Sequence, residues 1–152
     1  MRALRTVFTV AIVMIAVASP AVATNPSSSI VKLMVSANAG SMPMSANGKM
    51  TTAMTGSASG AFAINANKNT FCYSIISKGL MNITEAHVQL TSTEKDILIF
   101  NPKNINIRNS TCMKVSHTSL LDMAKYPARY SFMIHTKAEP DGAVMGNLTM
   151  SK

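Results

Sequence analysis

His87 and His135 are the side chains whose type and setting could do shared chemistry in this chain. His87 lies in Ile83–Leu90, read ITEAHVQL, where Glu85, His87 and Gln89 alternate with Ala86, Val88 and Leu90. In an extended strand that alternation puts the first three on one face and the other three on the opposite face. His135 lies in Tyr130–Thr136, read YSFMIHT, on the face it shares with Ser131 and Met133. Imidazole nitrogens are ligands for zinc and copper, so His87 and His135 are the candidate metal-binding residues. Residues two apart on a strand chelate well when both are imidazoles, and with Gln89 in the second place that ligand is weak. A zinc site ordinarily needs three or four good ligands. The competing role is structural: each histidine bonds a backbone group or a neighbouring carboxylate such as Glu85, and fixes the strand register. His117, the third histidine, precedes a helical segment and is expected to face solvent.

Other chemistry is sparser. Met34, Met42, Met44, Met50 and Met54 cluster in the N-terminal part of the chain. Thioethers are soft ligands for Cu(I), and they are equally adaptable apolar filler. The chain has only 6 acidic residues. Glu94 with Asp96, and Glu139 with Asp141, fall in expected turns rather than as facing pairs. Nucleophile-elbow, His-Glu-x-x-His and phosphate-loop patterns are absent, so an enzyme is not expected and no cofactor is required. The alternative is a bound copper or zinc ion.

The elements that must hold these side chains read mostly with period two. Strands are expected at Ile30–Val35, Gly60–Ala66 and Thr70–Ser77, the last two joined as a hairpin by Asn67-Lys68-Asn69. Ile83–Leu90 is a further strand, with short strands or extended pieces at Ile97–Phe100 and Ile105–Ile107. Ser119–Tyr126 reads as one short helix, with Ser119 as its cap, Asp122 in its first turn and Pro127 beyond its end. A last hairpin turns at Glu139-Pro140-Asp141-Gly142, which has proline to preset a turn dihedral and glycine to accept positive φ. The expected fold is all-β, an antiparallel sandwich or barrel with one short helix near 119–126.

The N-terminus reads as a secretory signal over residues 1–23: Arg2 and Arg5, an apolar run from Val7 to Ala18, and Ala21-Val22-Ala23 before Thr24. That run is shorter than the roughly 20 residues that span a bilayer, and no membrane anchor is expected. The remaining 24–152 form one expected domain, with a core over 28–150 and a long irregular connection at 38–55. The leader takes two basic residues with it, leaving 12 against 6 acids, or +6. The positive charges are scattered and lack interleaved aromatics, so nucleic acid is not an expected partner. A diffuse positive field suits an extracellular protein or an anionic envelope or matrix component instead. Cys72 and Cys112, in an exported chain, are expected to form one disulfide; the other possibility is two buried free thiols.

Several segments in order also resemble the CHRD (chordin-type) domain. They are Asn38–Pro43, Gly56–Phe62, Asn69–Ile75, Gly79-Leu80, and Leu120-Leu121 followed by Tyr126–Tyr130. The most specific is His135-Thr136 followed by Pro140-Asp141-Gly142 and Gly146-Asn147-Leu148. The resemblance implies a secreted β module; in chordin-like animal proteins such modules accompany domains that bind growth factors. Three departures stand out, one being that the acidic residue often found in the entry motif is absent, with Met42 nearby instead. Family members commonly carry His-x-His where this chain has His87-Val88-Gln89, and Arg-Gly-Gln where it has Met145-Gly146-Asn147. The expectation is a secreted or periplasmic, non-catalytic binding or structural module. The alternative is an exported copper- or zinc-binding protein.

Overall fold

The computed structural model describes residues 30–39 and 56–152. The expected leader at 1–23 and nearly all of the 38–55 connection, including Met42, Met44, Met50 and Met54, lie outside the described residues. The described chain forms β1 (Val31–Asn38), β2 (Ser57–Asn65), β3 (Thr70–Lys78), β4 (Ile83–Leu90), β5 (Lys95–Phe100) and β6 (Thr111–Lys114). These are followed by α1 (His117–Lys125), β7 (Tyr130–Thr136), β8 (Val144–Asn147) and β9 (Thr149–Met150). One antiparallel sheet runs β5-β4-β7-β8-β1-β2-β3-β6, with β9 added to β1, and curls into a half-barrel. The expected all-β fold with one short helix is what the chain adopts.

Alternation along each strand supplies the inner face. Leu33, Val35 and Ala37 of β1, Phe62 and Ile64 of β2, and Phe71, Tyr73 and Ile75 of β3 are buried. From the other half come Ala86, Val88, Leu98, Phe100, Phe132, Ile134 and Val144. Phe62 has ring centroids 5.3 Å from Phe71, 6.3 Å from Phe100 and 6.2 Å from Phe132, so one aromatic cluster bridges both halves of the sheet. Leu120 and Met123 of α1 complete the core. Truncating a buried Phe here would cost about 3–5 kcal/mol.

The local signals act largely as read, with four corrections. The β2–β3 hairpin turns through a short 3₁₀ segment, Ala66–Lys68, with Asn69 left-handed at φ 52°. The first strand runs on to Asn38, because its pairing with β2 continues through Asn38↔Ser57, and Ile30 stands exposed before it. The helix begins two residues earlier than expected: Ser116, not Ser119, accepts a bond from the Ser119 amide, which places Asp122 beyond the first turn. Ile105–Ile107 is no strand; Ile105 makes one isolated parallel bridge to Ile75. The strand that does form nearby is β6, where Cys112 sits directly opposite Cys72 and bonds to it. The final hairpin turns at the expected residues, with Gly142 at φ 128°.

Candidate functional site

β4 pairs with β7 on one side and β5 on the other, and those two ladders build the site. Across β4–β7, Glu85 stands opposite His135, His87 opposite Met133, and Gln89 opposite Ser131. Across β4–β5, His87 stands opposite Ile99, and a bulge between Val88 and Gln89 brings Asp96 opposite Gln89. β8 extends the row, with Met145 opposite Met133 and Asn147 opposite Ser131. All these side chains lie on the face turned away from the aromatic core, because Ala86, Val88, Phe132 and Ile134 take the inner face.

Polar groups on an outer sheet face are ordinarily solvated. Here they are not: His87 is 5% exposed, Gln89 8% and Ser131 0%. The rings of His87 and His135 lie 4.9 Å apart, centroid to centroid. His87 Nδ1 is 3.2 Å from Glu85 Oε1, and its Nε2 is 3.0 Å from Gln89 Oε1 and 3.5 Å from Asp96 Oδ1. A neutral imidazole has one N–H and one lone pair, so three oxygens around it outnumber its donors. The Gln89 amide can resolve one contact by presenting its NH₂, and a cation can resolve the others.

His135 is oriented differently. Its Nδ1 lies 2.8 Å from the Pro140 carbonyl oxygen. A carbonyl only accepts, so Nδ1–H donates and the lone pair of the neutral ring resides on Nε2. That Nε2 is buried and has no hydrogen-bond partner, and neither has Ser131 Oγ. A histidine whose far nitrogen is tied to a backbone carbonyl is the usual arrangement of a metal ligand with its outer partner.

The two histidines expected to share a site are therefore brought together, and Gln89 lies beside them. The structure adds Glu85 and Asp96. One ligand atom each from Glu85, His87 and Asp96 all lie within 4.8 Å of one another, a spacing compatible with a common metal ion. Asp96 corrects the expectation of a turn: it belongs to β5, where the extra residue Ile97 brings it opposite Gln89 and within reach of His87. The turn signal of Glu94, left-handed at φ 53°, ends before it. His117 is exposed as expected, but its Nδ1 donates to the Ala66 carbonyl at 2.9 Å and ties α1 to the β2–β3 turn. Of the N-terminal methionines, Met34 is described, half exposed on the outer face of β1. Cys72 and Cys112 form the disulfide, and free thiols are excluded.

Among the described residues no helix is long and apolar enough to cross a membrane. No curated protein and no solved structure matches the chain. The profile of the CHRD domain matches residues 18–148, which spans every described strand but β9, together with α1 and both histidines. With that coverage, the chain belongs to the CHRD domain family.

Proposed function

We propose that this CHRD protein is a non-catalytic binding module acting outside the cytoplasm, drawn to anionic components of an envelope or matrix or to a protein carried there. The observation that carries this reading is the distribution of charge. All eleven Lys and Arg side chains among the described residues are exposed. Several of the acids instead have partners within the fold: Glu85 and Asp96 flank His87, and Asp122 takes both Arg129 and Tyr130. The field presented to a partner is thus positive over the sheet, which favours attraction of polyanions and screens with salt. Membership of the CHRD family and the disulfide support the extracellular setting.

The test is chromatography of the oxidised protein on a sulfated polysaccharide matrix and on an uncharged one. Retention on the first alone, reversed by salt, is the expected result. Passage through both at low ionic strength contradicts the reading. A second reading, an exported metal-binding protein, is favoured by one specific observation, the meeting of His87 and His135 on one sheet face.

A further inference from the structure

We propose that His87, His135, Glu85 and Asp96 form a binding site for a single divalent transition-metal ion of the zinc or copper(II) type; this rests on the metal-binding reading and assigns it a place. Two independent observations carry it. The first is the cluster itself, in which an imidazole on β4 is flanked by carboxylates from β4 and β5 with too few donors to satisfy them. The second is His135, which belongs to neither carboxylate contact. Its Nε2 lone pair is buried and unpartnered beside the His87 ring, while its Nδ1–H is committed to Pro140.

The chemistry of the donors selects the ion. Two imidazoles with two carboxylates are a nitrogen–oxygen set. Calcium and magnesium prefer oxygen alone, and Cu(I) prefers sulfur. Zinc accepts both imidazole and carboxylate in four-coordinate sites, and copper(II) takes the same donors with higher affinity. The side chains are positioned differently around this point. His135 is held by the turn carbonyl and His87 by burial, whereas the Glu85 and Asp96 side chains, each in contact with His87, are 45% and 40% exposed. The imidazoles would define the site, and the carboxylates would close over the ion.

Gln89 contacts His87 Nε2 at 3.0 Å. It is better placed as a hydrogen-bonding neighbour that orients His87 than as a strong ligand, and its replacement by Leu should weaken binding less than loss of either histidine.

The experiment uses the mature, oxidised protein, stripped with chelator, re-exposed to zinc and desalted, with metal content and affinity measured for the parent, His87→Gln, His135→Gln and Asp96→Asn. Circular dichroism of each metal-free variant checks folding, and Asp96→Asn, on a half-exposed edge position, keeps the test valid if a histidine variant unfolds. The expected result is one zinc per chain, displaced by copper(II) and not by calcium, with affinity falling about tenfold or more in each folded variant. Zinc retained at parental affinity in the folded variants overturns this site while leaving metal binding elsewhere on the chain. No zinc retained by the parent overturns both the site and the metal-binding reading.

Discussion

Tyr130 sits at the start of β7 with its ring in the core, and its hydroxyl donates to Asp122 Oδ2 of α1. Its pKa is pushed up to about 12 from 10.0, by burial first, then by the bond to Asp122 and that carboxylate's charge, with Arg129 opposing. A group raised in the folded state stabilises fully below its unfolded pKa and loses that contribution as pH rises through the folded value. Stability should therefore hold up to about pH 10 with respect to this residue and fall between about 10 and 12. In Tyr130→Phe that alkaline loss should disappear, at a cost near neutrality of about 1.5–3 kcal/mol for a hydrogen bond to a charged group. Thermal melts across that range check both, and the absorbance titration should lose a tyrosinate step near pH 12. At the same scale, the sharing of one face by Glu85, His87 and Gln89 was legible from alternation, as was that of Ser131, Met133 and His135. That the two sets meet was not, since it depends on β4 pairing with β7 across about forty intervening residues. Asp96 was hidden for a further reason, because a bulge shifts the register by one residue and leaves no mark in the local pattern.

Among the elements, β8 is the hinge point of the sheet, joining the β5-β4-β7 half to the β1-β2-β3-β6 half. It does so at close range: a Cβ at Gly146 would run into the Ser36 carbonyl of β1. Phe132 of β7 packs in register opposite this glycine. Gly146→Ala should therefore force β1 and β8 apart and destabilise by about 1–3 kcal/mol, read as a lower denaturant midpoint. Amide exchange should quicken along β8 and the adjoining end of β1 more than along the β2–β3 hairpin. If exchange rises evenly across all strands, β8 is not the joint. Strands with a clear apolar face, such as β2, β3, β4 and β7, were legible in the chain. β6 was not: Thr111-Cys112-Met113-Lys114 buries no side chain fully, and its place is set by pairing with β3 and by the disulfide. The helix was recognised by its formers and by Pro127, while its start was misplaced because Ser116 and Ser119 are both competent caps and only the folded backbone selects one.

At the scale of the molecule, the half-barrel leaves β5 and β6 as edge strands, and the disulfide fastens one of those edges. Cys72–Cys112 closes a separation of 40 residues. On the chain-entropy account the bond stabilises by roughly 4 kcal/mol, so Cys72→Ser with Cys112→Ser should lower the unfolding free energy by several kcal/mol. An unchanged midpoint in denaturant would show that pairing with β3 alone holds β6. The stapled sheet presents its cations outward while several of its acids are paired to neighbouring side chains, and that asymmetry is the basis of the proposed role. The most direct measurement of it is the affinity of the oxidised protein for a sulfated oligosaccharide and for its uncharged analogue across a series of salt concentrations. Binding to the sulfated ligand alone is expected, with log Kd rising linearly with log salt as counterions compete. Equal affinity for both ligands, or no dependence on salt, would contradict it.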